Sequence, residues 1–137
     1  MDETQIAEAV GTENLVRHDR KEFQQFYSEL GISDIDIAGY NFNLSFQMAK
    51  STNTLSQVLI MHEANLDSRP KKEFDAALLV LRERFGSPQR VGTSENMVWI
   101  FPSTTIAIGI TYIDGIMSFL SIRFFPTVAG TKHQAGF

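Results

Sequence analysis

Between Tyr40 and Met48 apolar and polar residues alternate without a break: Tyr40, Phe42, Leu44, Phe46 and Met48 against Asn41, Asn43, Ser45 and Gln47. A period of two is the side-chain period of a β-strand, so this segment presents one apolar and one wet face. The rest of the chain must cover the apolar face, and an antiparallel sheet is the arrangement that leaves the other face to solvent. Ile35 and Ile37 lie on the opposite parity, so a turn or bulge at Ala38-Gly39 is needed to bring both sets inward.

Further strands follow by the same logic. The polar run Lys50-Ser51-Thr52-Asn53-Thr54 reads as a hairpin loop with its return strand over 55–63. The last third predicts strands over 97–101, 104–113 and 116–125. Asp114-Gly115 signals a two-residue type I′ turn, which sets Ile113 opposite Ile116 and Ile110 opposite Phe119. With that register Ile106, Ile108, Ile110, Met117 and Phe119 face the helices. A second face carries Ala107, Gly109, Leu120, Ile122 and Phe124, small residues on one strand against large ones on the next. That face needs a cover, and it is the expected partner-binding surface, because large exposed apolar patches are uncommon on monomers.

Two helices are expected. Asp19 as N-cap with Glu22 three residues on has capping-box spacing, Phe23, Phe26, Tyr27 and Leu30 recur at helical intervals, and Gly31 supplies a stop. The second begins at Asp67-Ser68-Arg69-Pro70, buries Phe74, Ala77, Leu78, Leu81 and Phe85, and ends at Gly86 before Pro88. Residues 1–14 are acidic and read as a loosely held arm, since a helix that short is marginal alone. Residues 126–137 read as a tail. The expected fold is therefore α+β, an antiparallel sheet of five or six strands with two helices packed on one face. Lys21-Glu22-Phe23 and Lys72-Glu73-Phe74 at the two helix starts suggest a duplicated αβ unit.

The 137 residues fit one domain spanning 1–137, with the folded part at 15–125. The chain has no cysteine, which excludes a disulfide scaffold, a thiolate metal site and a cysteine nucleophile. Sixteen acidic against twelve basic residues, a formal net charge of −4, argue against a nucleic-acid partner. No run approaches the roughly 18 apolar residues of a membrane-spanning helix, so membrane insertion is not expected. The expected compartment is periplasmic or secreted where a signal peptide has been removed, and cytoplasmic otherwise.

The helix end Leu81-Arg82-Glu83-Arg84-Phe85-Gly86-Ser87-Pro88, Trp99 in a strand, and the alternating hairpin through Asp114-Gly115 together resemble small bacterial cell-envelope domains. In those a helix ends in a Gly-x-Pro turn and feeds a short antiparallel meander carrying an aromatic. The resemblance spans about residues 70–125 and implies a non-enzymatic protein, an assembly factor, inhibitor or immunity protein. It carries over no site residue.

Catalytic signatures are absent: no Gly-x-Ser-x-Gly elbow, no His-Glu-x-x-His, no phosphate loop and no dinucleotide fingerprint. The best polar cluster is His62, Glu63, Asn65 and Asp67, where a strand opens into a loop. His62 and Glu63 are adjacent and point to opposite strand faces, so they do not ligate one metal ion together. Arg82, Arg84 and Arg90 gather at the C-terminal end of the second helix, where cations complement the helix dipole and where an anion or acidic partner would be met. The reading is a non-enzymatic protein-binding module, its partner another protein or a second copy, with no cofactor and no metal. The alternatives are a carrier of a small apolar ligand held between helix and sheet, and a hydrolase using the His62 cluster.

Overall fold

In the computed structural model, which describes residues 1–62, 70–92, 95–113 and 117–127, helix α1 (Glu3–Val10) leads through one 3-10 turn into β1 (Val16–Glu22), β2 (Phe26–Ile37), β3 (Tyr40–Ala49) and β4 (Thr54–His62). Helix α2 (Pro70–Phe85) then precedes β5 (Gln89–Arg90), β6 (Asn96–Ile100), β7 (Thr104–Ile113) and β8 (Met117–Pro126). The eight strands form one antiparallel sheet in the order β1-β2-β3-β4-β8-β7-β6-β5. The fold is α+β with an antiparallel sheet, and it holds more strands than the five or six expected. Each helix precedes a four-stranded meander, and the two meanders meet where β4 pairs with β8. The tripeptide match does not follow this arrangement: Lys21 and Glu22 end β1, whereas Lys72, Glu73 and Phe74 lie in α2.

The expected helix from Asp19 to Gly31 is β1 and the first half of β2. Irregularities in the β2–β3 pairing between Tyr27 and Gly31, and again between Ile32 and Ile35, each add a residue to the strand. Apolar side chains on the helix-covered face therefore fall at Tyr27, Leu30, Ile32, Ile35 and Ile37, with intervals of three and two that imitate a helical period. Asp19 and Glu22 cap nothing. Glu22 instead meets Arg20 at 2.9 Å and Lys50 at 3.6 Å across the exposed edge. Gly31 stops no helix either; it stands opposite Ser45, where a Cβ would collide with the Leu44 carbonyl oxygen. The turn expected at Ala38-Gly39 is present. Both residues have positive φ, 56° and 86°, and Ile37 pairs with Tyr40, so the isoleucines and the β3 aromatics share a face.

The acidic arm is ordered. Asp2 and Gln5 form a capping box, the Leu55 amide donates to the Met1 carbonyl at 2.6 Å, and Ile6 is 1% exposed among Tyr27, Leu30, Phe46 and Met48. One well-seated isoleucine supplies the tertiary packing that an eight-residue helix lacks alone. α2 buries Phe74, Ala77 and Leu81 against Phe42, Ile60 and the isoleucines of β7. Phe42, Phe46 and Met48 share β3's parity, so both helices cover the same face of the sheet.

α2 ends as its sequence indicates. The Gly86 amide donates to the Arg82 carbonyl at 2.9 Å, and the Gly86 carbonyl accepts from Trp99 Nε1 at 2.8 Å. The Phe85 ring packs against Trp99, Phe101 and Phe124. Gly86 has φ +89°, and an added Cβ would meet nothing within 4 Å. Gly86→Val therefore costs conformational strain alone, about 1–2 kcal/mol in urea denaturation. An unchanged midpoint would mean that the helix ends without a left-handed residue.

The final hairpin differs from expectation by one residue. The Asp114-Gly115 turn lies outside the described residues, yet the strands flanking it pair Ile113 with Met117, Ile110 with Leu120 and Ile108 with Ile122. Residues 114–116 thus separate the paired ends. Three-residue connections are the next commonest after two-residue ones, and each shifts every pair by one. Leu120 and Ile122 accordingly join Ile106, Ile108 and Ile110 in the core under α2, with Phe124 packed against it. Phe119, expected under the helices, pairs with Thr111 and points to the other face; the Met117 side chain lies outside the described residues.

Candidate functional site

The expected binding face is divided by this register. Leu120 and Ile122 are 1% and 0% exposed beneath α2, while Ala107 and Gly109 lie on the opposite side of the sheet. Ala107 belongs there to a row running from Gly31 through Ser45, Leu59 and Arg123 to Val98, and Gly109 to the row of Asn43, Met61, Ser121 and Asn96. In the C-terminal half this side is closed, with Val98, Thr105, Ala107 and Ser121 all buried. The Thr127 hydroxyl meets that of Thr105 at 2.6 Å. Over β1–β4 the same side opens into a groove of about 420 Å³.

The wet face of β3 builds this groove. Asn43 and Ser45 line it beside Leu59 and Met61 of β4, and His18 and Lys21 of β1 line its outer flank. Beneath it runs a chain of hydrogen bonds whose proton order can be deduced. His18 Nδ1 lies 2.8 Å from the Asp19 carbonyl, which only accepts, so Nδ1 carries a proton. In the neutral ring Nε2 then accepts from Ser28 Oγ at 3.3 Å, Ser28 accepts from Ser45 at 2.7 Å, and Ser45 accepts from Gln47 Nε2 at 3.0 Å. Each donor has one acceptor, and the bonds polarise one another in one direction. A serine donating to a histidine so oriented is also the pairing that activates a nucleophile. Ser28 is 1% exposed, however, and no reacting atom reaches its hydroxyl; the chain orients the His18 ring at the groove instead.

The groove lining holds three basic residues, His18, Lys21 and His62, and no carboxylate. Among the described residues Lys21 makes no ion pair, whereas its neighbours Arg17 and Arg20 both bridge to Glu29 at 3.2 Å. Arg123 stands opposite Leu59 on this side, its guanidinium 5.1 Å from the Phe125 ring centre, and burial pushes its pKa down to about 10. Of these groove residues, those on β3 are placed by its alternation; Lys21 lies inside the segment read as a helix, and His18 immediately precedes its expected cap, Asp19.

His62 also borders the groove, but its ring makes its contacts elsewhere. Its ring turns to the helix-covered face against Tyr40 and Phe42. Nδ1 donates to the Asn41 carbonyl at 2.8 Å and Nε2 lies 3.2 Å from Glu73 Oε1, with both side chains at least nine-tenths buried. The pair ties the first turn of α2 to the end of β4. The cluster partners Glu63, Asn65 and Asp67 lie outside the described residues. Glu73 was missed although it lies four residues before Ala77, on the flank of the buried stripe. Arg82 and Arg84 are exposed in the last turn of α2 and Arg90 is exposed in β5, at the other end of the helix from His62. Among the described residues no three His, Asp or Glu side chains gather closely enough to hold a metal ion. Comparison with protein-family models, curated proteins and solved structures returns no match.

Proposed function

We propose that this chain is a protein-binding module without catalytic chemistry of its own, and that it seats an extended acidic segment of another protein in the groove across β1–β4. The observation that carries the reading is the composition of that groove: an apolar floor of Leu59 and Met61, hydrogen-bonding Asn43 and Ser45, and a flank of Lys21 and His18 with no carboxylate, in a chain of net charge −4. A local excess of cation on an acidic protein favours an acidic partner and disfavours self-association through the same face. Apolar side chains of the segment would rest on Leu59 and Met61 while a carboxylate meets Lys21. Inhibitor, immunity and assembly factors all act by occupying a partner's surface, so the reading fits the class suggested by residues 70–125.

The test compares capture by the wild-type chain with capture by Lys21→Glu and Met61→Lys, both on partly or fully exposed positions. A partner retained by the wild type is expected to bind each variant at least about tenfold more weakly. It should also slow hydrogen exchange in β1 and β4. A partner held equally by all three chains, with protection elsewhere, would overturn the proposal.

A further inference from the structure

The outer face of α2 carries a pattern that its buried stripe does not explain. At 3.6 residues per turn Lys72, Ala76, Leu79 and Glu83 form one line opposite Phe74, Ala77 and Leu81. Their spacing of four, three and four is that of a coiled-coil seam. Leu79 is 60% exposed, the highest value among the large apolar side chains exposed in the described structure. Lys72 and Glu83 are exposed, and among the described residues neither has an ion-pair partner; the neighbouring Asp75 is held by Lys71 at 2.9 Å.

We propose that this line is the contact between two copies of the chain, packed α2 against α2 in antiparallel orientation about a two-fold axis. Reversing the second helix sets Lys72 against the partner's Glu83, and Glu83 against the partner's Lys72. Ala76 then faces the partner's Leu79, a small residue under a large one in both central layers, as self-complementary two-fold packing requires. On one flank the same register brings Asp75 to the partner's Arg82. A parallel pairing would oppose Lys72 to Lys72 and Glu83 to Glu83, so the charges choose the antiparallel arrangement. The central apolar layers are few and the outer layers are charged, so the dimer is weak and concentration-dependent. This contact is separate from the sheet groove and does not depend on it.

Sedimentation of the full chain from low micromolar to near-millimolar concentration tests the contact. The expected result is a monomer–dimer equilibrium that Lys72→Glu and Glu83→Lys each weaken by about tenfold or more, since each single change creates two like-charge contacts. The double variant Lys72→Glu/Glu83→Lys restores the opposite charges in swapped positions and should return to within about threefold of wild type. Both positions are exposed, so far-UV circular dichroism should show all three variants folded. A chain that stays monomeric throughout, a dimer indifferent to the single changes, or a double variant no tighter than the singles would each overturn the proposal.

Discussion

Replacing Leu120 with lysine unfolds this protein. Leu120 is 1% exposed on β8, which lies between β4 and β7, and its side chain points into the cluster formed by Phe74, Ala77 and Ile110. A lysine on an edge strand can extend its ammonium to water, but here strands on both sides and a helix above leave no such path. Burying an unpaired charge is among the few single changes that cost more than about 5 kcal/mol, comparable to the whole stability of a domain this size. Ile110→Lys, directly opposite on β7, should be as damaging. Phe23→Lys serves as the control, because Phe23 is 46% exposed and a lysine there should leave the urea midpoint nearly unchanged. A Leu120→Lys chain that melts like wild type would mean that β8 pairs with β7 in the two-residue-turn register, with Leu120 on the other face.

That one-residue difference marks where the sequence was legible and where it was not. Strict alternation in β3 and a helical stripe in α2 each rest on many residues repeating one period, so a single exception cannot shift them. The register of a hairpin rests on its turn alone, and Asp-Gly is compatible with connections of two or three residues. In β2 two added residues turned a strand's period into intervals of three and two, and Tyr27, Leu30 and the flanking charges satisfied a helix template they do not occupy. α1 was hidden for the opposite reason. Its own sequence is too short to persist, and the pocket that holds Ile6 is assembled from β2 and β3, distant in the chain.

The groove was legible only through β3. Asn43, Ser45 and Gln47 were placed on a wet face by parity, but the residues that give that face its charge come from β1, and their position depends on an irregular β1–β2 pairing between Arg17 and Lys21. The Ser28–His18 bond likewise joins two segments that a helix would have kept apart. His62 was picked out by its position at a strand end, whereas its partner Glu73 is eleven residues away on α2. Pairings of this kind are set by how elements pack and leave no local trace.

Phe42→Ala is expected to cost about 3–5 kcal/mol, and the form of the loss is as informative as its size. Phe42 is 0% exposed, stands between Ile35 of β2 and His62 of β4 in the pairing, and packs with Phe74 and Ala77 of α2 in one cluster. Its removal leaves a cavity at the place where the N-terminal meander receives the second helix. The α1 side has its own cluster of Ile6, Tyr27, Leu30, Phe46 and Met48, but Leu44 and Val58 pack against both clusters. The β4–β8 ladder joins the halves directly through four pairs from Val58 to Met61. With that much shared packing the sheet should unfold as one unit, so the deficit from Phe42→Ala appears in both halves. Trp99 is the chain's sole tryptophan and reports the C-terminal half by fluorescence, while far-UV circular dichroism reports the helices and strands of both halves. The two curves should move together to a lower midpoint. Curves that separate in the variant, or a loss below about 1 kcal/mol, would show that the meander from β1 to β4 holds its structure without α2.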